Sequence, residues 1–244
     1  MTGRSPLCGQ KLPPRPREDP TVDHNRGMVD TRGDAWSELS RLIATSPLNV
    51  MVCPPHDASA TAATLGLGTG SFLGAFARNT SGVIVDDGWL RLLGGSSSAD
   101  GLPGLDQASA ATTGLLVIAI DVLGGVFALD GGALGTGNGS VHHFSVDSLS
   151  WEDLELGHAA FVTRMLAGAT TSFYESLRWP GWQADIATLQ PRQGLSLYPQ
   201  PFTAEGKDVS SASKRAVPMA ELLAVHNDIA TQFGTDRGVQ ATWP

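Results

Sequence analysis

Residues 115–154 constrain the fold more than any other part of this sequence. Short apolar runs at 115–120 and 126–130 alternate with glycine-rich turns, and a further run follows at 140–146. Glycine supplies the positive φ angles that tight turns require, and short connections join strands that pair antiparallel. The segment therefore predicts consecutive strands of an antiparallel sheet, with one more strand near Trp151.

Helical patterns lie on both sides of this segment. Apolar residues recur at helical spacing within residues 34–45, 157–166, 173–179, 182–189 and 219–233. Pro218 suits the first turn of the last helix and Gly234 suits its end. Strands followed by helices predict an α+β fold, with a central antiparallel sheet flanked by helices and a helical C-terminal part.

The region before the segment predicts additional short elements. Residues 50–53 form a short apolar run, and residues 56–64 are typical of a loop or a weak helix. Residues 73–78 and 82–85 are predicted to be two strands joined through Asn79, Thr80 and Ser81 as a hairpin. A further strand is predicted at 89–93, directly after turn-forming residues.

The domain organisation follows from composition along the chain. Four prolines within residues 11–20 remove backbone donors, so residues 1–33 are predicted to be a disordered tail. Met28 opens a plausible alternative start, and residues 1–27 are therefore expected to be a start-site error. One α+β domain is predicted over 34–234, with a C-terminal tail at 235–244.

Charge and composition exclude several classes of function. The chain has 244 residues, of which 16% are charged, and a formal net charge of −8. This acidity argues against binding to nucleic acid or to an anionic membrane surface. Asp121 and the Gly124-Gly125 pair interrupt the longest apolar run, whereas a membrane helix needs about 20 apolar residues. With two cysteines and no disulfide framework, we expect a soluble cytoplasmic protein.

Two motifs that suggest ligand chemistry are too weak to predict it. The string Gly66-x-Gly68-x-Gly70 lacks the preceding strand and following helix of a nucleotide-binding loop, so a structural loop is favoured. His142 and His143 are neighbours on a predicted strand and must point to opposite faces, one toward solvent and one toward the helices. We expect no metal site and no cofactor.

Carboxylates and tryptophans are the remaining candidates. Asp87, Asp121, Asp130 and Asp147 fall at predicted strand ends or turns, where aspartate commonly satisfies local backbone donors. Asp121 stands out because it interrupts an apolar run, so it lies at a strand end or is buried with partners. Trp179 and Trp182 flank Pro180-Gly181 and form either core anchors, which is favoured, or an aromatic surface patch.

Four blocks of the sequence carry a family resemblance. Residues 87–94 (DGWLRLLG), 121–132 (DVLGGVFALDGG), 147–152 (DSLSWE) and 173–182 (FYESLRWPGW) resemble an uncharacterised bacterial family catalogued as a domain of unknown function. The resemblance covers about residues 36–232, so the N-terminal tail falls outside it.

The order of acidic turns, glycines and strands is also, more remotely, similar to the SUKH superfamily. That superfamily includes a yeast cell-wall synthesis regulator and bacterial immunity proteins that neutralise toxins. The resemblance implies a central antiparallel sheet with surrounding helices and a function in binding protein partners. The candidate binding residues are Asp87, Trp89, Arg91, Asp121, Asp130, Asp147, Trp179 and Trp182.

Two classes of function stay open on the sequence. A protein-binding module of the immunity type, without catalytic activity, is favoured because catalytic motifs are absent; its partner is a protein, such as a basic toxin. It predicts carboxylates spread over an exposed surface and no deep polar pocket. The alternative is a carboxylate-dependent hydrolase, with or without a divalent ion, which predicts Asp121 and another acid such as Asp87 in one cleft. The oligomeric state is left open.

Overall fold

Seven strands form an antiparallel sheet whose spatial order is the order of the strands along the chain. In the computed structural model of the protein, the described residues are 35–55, 58–96, 101–135, 137–235 and Trp243. The predicted tail at 1–33 lies outside them, as do residues 236–242 and 244 of the predicted C-terminal tail. Trp243 itself is buried.

The sheet follows the predicted pattern of short strands and tight turns. Its strands are β1 (Val50–Cys53), β2 (Gly82–Val85), β3 (Leu90–Leu93), β4 (Leu115–Asp121), β5 (Val126–Asp130), β6 (Val141–Ser145) and β7 (Ser150–Asp153). Each strand pairs antiparallel with the next one. The predicted central antiparallel sheet is therefore confirmed, and β1 and β7 are its two edges.

Helices and a second, smaller sheet complete the described fold. The helices are α1 (Ala35–Ala44), α2 (Ala58–Thr64), α3 (Phe72–Asn79), α4 (Leu105–Ala108), α5 (His158–Arg164), α6 (Thr170–Phe173), α7 (Trp182–Ile186) and α8 (Met219–Phe233). Strands β8 (Gln193–Tyr198) and β9 (Ser213–Pro218) form an antiparallel pair. The predicted α+β class is confirmed.

The two faces of the large sheet pack against different parts of the chain. On one face, the Phe127 ring contacts Phe161 of α5 and Phe173 of the α6 segment at centroid distances of 4.9 and 5.7 Å. On the opposite face, Arg91 donates hydrogen bonds to main-chain oxygens just after α7. The sheet thus lies between a helical layer and the C-terminal part of the chain.

The strand predicted at 73–78 is wrong, because these residues belong to helix α3. The Ser71 side chain accepts a hydrogen bond from the Gly74 amide and caps the first turn. Phe72 and Phe76 lie one helical turn apart and are both buried. A short apolar run fits both a strand and a buried helix, and the cap and the four-residue spacing favour the helix here.

The C-terminal part is not wholly helical. Residues 193–198 form β8, and its partner β9 was not predicted from the sequence. Helix α8 begins after Pro218 and ends at Gly234, whose φ of 68° lies in the left-handed region, as predicted. Among the described residues, no helix combines the length and apolar character needed to cross a membrane.

Candidate functional site

A cleft of about 580 Å³ lies between the sheet and the segment that contains α7. Met51, Ile84 and Arg91 come from three neighbouring strands, while Ile186 and Leu189 come from α7 and the residues after it. The other lining residues are Asn49, Asp87, Gly88, Gln183, Ala184, Ala187 and Pro191. The volume falls within the range of about 300–1,000 Å³ that is common for ligand pockets.

The floor of the cleft is a row of side chains that crosses three strands. Met51 pairs with Ile84, and Ile84 pairs with Arg91, so the three side chains share one face of the sheet. Met51 is 56% exposed, Ile84 is half-buried and Arg91 is 2% exposed. Since neighbouring strands lie about 4.8 Å apart, the floor runs roughly 10 Å from an open end at Met51 to a closed end at Arg91.

Arg91 places a buried cation at the closed end. Its Nη1 donates hydrogen bonds to the Pro191 and Gln193 carbonyls at 3.0 and 2.7 Å. Burial lowers the pKa of Arg91 to about 10, against the opposing effect of the Asp121 charge, so the guanidinium stays charged at neutral pH. Among the described residues, no carboxylate oxygen lies within 4.0 Å of it, and Nε and Nη2 make no hydrogen bond.

A strained turn forms the rim of the cleft. Asp86 and Asp87 have φ values of 57° and 56°, in the left-handed region that non-glycine residues rarely adopt. The turn directs Asp86 inward and leaves Asp87 exposed, where its Oδ1 accepts a hydrogen bond of 2.8 Å from Asn49 Nδ2. Strain of this kind is concentrated at functional sites, and here it holds a carboxylate at the cleft.

Glycine at position 88 allows α7 to lie close to this turn. Gly88 has a φ of 102°, and a Cβ placed on it would lie 3.1 Å from Ile186 Cγ2. A larger residue would therefore be strained in its backbone and would press on the wall of the cleft. Gly88 in the DGW sequence after Asp86 thus determines how closely α7 approaches the turn at the cleft.

The tryptophans of the sequence blocks lie in the core behind the cleft. Trp89, Trp179 and Trp182 are all buried, and the Trp89 ring lies 5.9 and 5.1 Å from the rings of the other two. The Arg178 guanidinium carbon lies 4.7 Å from the Trp89 ring and 4.3 Å from the Trp182 ring. These rings are core anchors that hold α7 against the sheet, as favoured by the sequence.

Asp86 provides the charge partner of this aromatic cluster. Its Oδ2 accepts hydrogen bonds from the Arg178 guanidinium at 2.5 Å and from the Thr170 hydroxyl at 2.6 Å. Both charged side chains are largely buried. The ion pair therefore links the strained turn to the segment that contains Arg178. It fixes the backbone of the turn that carries the rim residue Asp87.

Asp121 is buried within the core and does not line the cleft. Its Oδ1 accepts hydrogen bonds from the Leu123 and Gly125 amides at 2.9 and 2.8 Å, which fixes the turn between β4 and β5. Burial raises the pKa of Asp121 to about 6, opposed by these two amides, the nearby Tyr174 hydroxyl and the Arg91 charge. Its position at a strand end explains why a carboxylate interrupts the apolar run.

The neighbouring histidines are both buried, contrary to the expectation that one of them faces solvent. His143 stacks on Phe127 at a centroid distance of 4.4 Å. His142 lies with its Nε2 3.9 Å from Asp153 Oδ2 on the adjacent strand. Both faces of β6 are covered, so the alternation of side chains does not bring either ring to the surface.

Asp130 and Asp147 have local structural contacts. Asp130 is fully buried and accepts hydrogen bonds from the amides of Gly132, Leu134 and Gly137 at 2.8–3.0 Å. Asp147 is half-buried and accepts a 2.5 Å hydrogen bond from the Ser145 hydroxyl. These are the turn contacts expected of aspartate, and neither residue lines the cleft.

Of the eight candidate residues, the structure brings Asp87 and Arg91 to the cleft. Trp89, Trp179 and Trp182 pack behind it, whereas Asp121, Asp130 and Asp147 are elsewhere. Sequence reasoning missed Met51, Ile84 and the wall residues after Gly181, because no local pattern places them together. The exposed apolar run of β1 beside two prolines was the one available signal.

The carboxylates do not follow either sequence-based expectation fully. The prediction that the carboxylates are exposed is wrong for Asp121 and Asp130, which are buried. Of the described residues, Asp87 is the single carboxylate that lines the cleft, so Asp121 does not share it. Within the same part of the chain, no group of three or more His, Cys, Asp or Glu side chains has the arrangement of a metal site.

These features define an α+β protein with one seven-stranded antiparallel sheet and an apolar cleft that ends at a buried cation. The chain belongs to the family described as protein of unknown function DUF2625, whose model matches residues 26–222. The predicted membership of an uncharacterised family is therefore confirmed.

Two relatives match this chain over similar lengths. The chain is 32% identical over 177 residues to the uncharacterised protein YbfG of Escherichia coli K12, covering 70% of this chain and 82% of that protein. It is also 32% identical over 168 residues to an uncharacterised protein of Haemophilus influenzae Rd, covering 65% and 74%. No solved structure is significantly similar.

Proposed function

We propose that this protein is a protein-binding module without catalytic activity, and that it recognises its partner at the edge of β1 and in the adjoining cleft. One observation carries the proposal. Met51 and Val52 are neighbours on an edge strand, yet they are 56% and 39% exposed. Met51 also lines the cleft.

An exposed apolar edge strand is unusual in a protein that acts alone. Its unpaired backbone groups and apolar side chains favour pairing with another chain, so native proteins generally cover or charge such edges. Among the described residues, β1 pairs on one side only, with β2. An apolar surface that continues into a cleft is typical of an interaction site.

The charge of the chain favours a basic partner. The formal net charge is −8, and the exposed Asp87 carboxylate lies at the rim of the cleft. Complementary charge raises the association rate and the specificity more than the final affinity. Association with a basic partner therefore slows as salt is raised, because exposed charges are screened.

The SUKH-like character of the chain belongs to this proposal. Its support is the remote resemblance in the order of acidic turns, glycines and strands, together with a central antiparallel sheet and surrounding helices. On this basis the partner is a basic toxin-like protein, and the module acts by occupying it. The hydrolase alternative is not proposed, since Asp87 has no second carboxylate beside it on the described cleft walls.

Selection from a display library of random peptides tests the proposal. We expect full-length protein to enrich apolar peptides that carry lysine or arginine, and Met51→Lys to abolish their binding, because it places a cation at the open end of the cleft. Val225→Lys is the matched control, since Val225 is a 40% exposed apolar residue on α8. Peptides that bind both variants and the wild type equally contradict the proposal.

A further inference from the structure

We propose that the cleft receives the carboxyl terminus of the partner chain, with the terminal carboxylate bound by Arg91. The inference rests on the proposed function and names the part of the partner that enters the site. The last side chains of that partner lie along the floor formed by Met51 and Ile84.

The first support is the state of Arg91. Arg91 as a whole residue is 2% exposed at the closed end of the cleft, and both hydrogen bonds of its guanidinium leave from Nη1 to main-chain oxygens. No carboxylate of the described residues lies within 4.0 Å of it. The Asp121 charge acts on Arg91 from beyond that distance, so the guanidinium has no carboxylate in direct contact. A partner carboxylate would provide this contact, and it matches Nε and Nη2 in bidentate geometry.

The second support is the length and character of the cleft. About 10 Å separates the open edge from Arg91 across the strands, which corresponds to roughly three residues of extended chain. Met51 and Ile84 on one side and Ile186 and Leu189 on the other provide apolar contacts along this path. A chain end with apolar side chains therefore fits, whereas a small inorganic anion would leave the floor unused.

The third support is the opposite charge at the rim. Asp87 is exposed, lines the same cleft and is oriented by the hydrogen bond from Asn49. A basic side chain that precedes the apolar end of the partner would meet this carboxylate. The cleft thus selects a tail that is basic first, then apolar, and ends in a free carboxylate.

Two matched peptide pools test this inference. One pool contains acetylated pentapeptides with a lysine followed by random residues and a free carboxylate, and the other contains the same peptides as carboxamides. Both pools are passed together over immobilised full-length protein, and the retained peptides are quantified by mass spectrometry. We expect the free acids to be retained about tenfold over the amides, as for one lost charge-assisted contact.

Variants of the protein assign this preference to one side chain. Arg91→Gln is expected to remove the preference for the free acid, whereas Arg215→Gln, which removes an exposed cation on β9, is expected to keep it. The amide changes the peptide and not the protein, so the comparison decides the question even where Arg91→Gln does not fold.

The outcomes separate this inference from the proposed function. Equal retention of acids and amides overturns the inference and leaves the binding module standing. Retention of neither pool, by protein that still binds peptides from the display library through Met51, also overturns the inference alone. Failure of the display selection as well overturns both.

Discussion

His143, His158 and His226 keep neutral rings at ordinary pH because burial lowers the pKa of each to about 4. One ring nitrogen of each histidine is buried without a hydrogen-bond partner. In the unfolded chain these rings titrate near 6.5, so between about pH 4 and 6.5 the unfolded state binds more protons. Their contribution to stability is present above pH 6.5 and is lost as the pH falls through 4.

Asp121 changes the stability in the opposite direction over the same pH range. Its pKa is raised to about 6 in the folded protein, so the folded state binds the extra proton between about pH 4 and 6. Its contribution is present at low pH and is lost as the pH rises through 6. Three histidines outweigh one carboxyl, and the net contribution of these four groups favours neutral pH.

We therefore expect the free energy of unfolding, measured with urea, to fall as the pH is lowered from 6.5 to 4. Each net proton contributes a slope of up to about 1.4 kcal/mol per pH unit. His226→Gln makes the pH dependence shallower, and Asp121→Asn makes it steeper. A steeper pH dependence of His226→Gln, a shallower one of Asp121→Asn, or a flat profile in the wild type contradicts these assignments.

Single residues were predicted best where chain neighbours determine their surroundings. The contacts of Asp130 and Asp147 are made with residues of the same turns, so turn chemistry was sufficient. Asp87 and Arg91 lie in the cleft because the turn and β3 place them there. Their partners, Asn49 and Pro191, are remote in sequence, so the cleft itself was not predictable.

At the scale of elements, the glycine string before α3 is part of the packing of that helix. Arg78 on α3 donates hydrogen bonds to the Gly68 and Leu67 carbonyls, which holds the loop against the helix. A Cβ placed on Gly74 would lie 1.9 Å from the Gly68 carbonyl oxygen. The string is packed as a structural loop, and α3 needs glycine where it meets the loop. The expectation that no helix follows the string is wrong, because α3 begins at Phe72.

Substitution of Gly74 separates this packing from helix propensity. Alanine normally stabilises a helix interior by about 1 kcal/mol relative to glycine. We expect Gly74→Ala to lower the free energy of unfolding by about 1–3 kcal/mol instead, because the loop must move. Gly70→Ala, which has open space around its Cβ, is expected to change it by less than about 0.5 kcal/mol. Greater stability of Gly74→Ala in chemical denaturation would refute the close contact.

The elements that were predicted and those that were missed differ in how far apart along the chain their interacting residues lie. Residues 122–125 join β4 to β5, and the glycine-rich residues 131–140 join β5 to β6, so local alternation and turn residues were sufficient. Strand β9 pairs with β8 across a long connection that contains prolines, and no local signal marks that pairing. The sequence predicts a strand at 73–78, where α3 lies, because six residues are too few to separate the period of a helix from that of a strand.

At the scale of the whole molecule, the sheet order explains where a partner can bind. The large sheet is antiparallel in chain order, so β1 forms an edge next to the strands that build the cleft. The other edge, β7, carries the exposed acidic residues Glu152 and Asp153 in place of apolar ones. The two edges thus differ in chemistry, and the apolar one lies beside the buried cation.

The measurement that tests this account most directly is amide hydrogen exchange of the full-length protein, alone and with the strongest peptide from the display selection. We predict slower exchange in the bound state for residues 50–53 and 183–193, because these segments border the cleft, and no change in α8. Slower exchange confined to α8 or to β7, with residues 50–53 and 183–193 unchanged, would contradict recognition at the edge of β1.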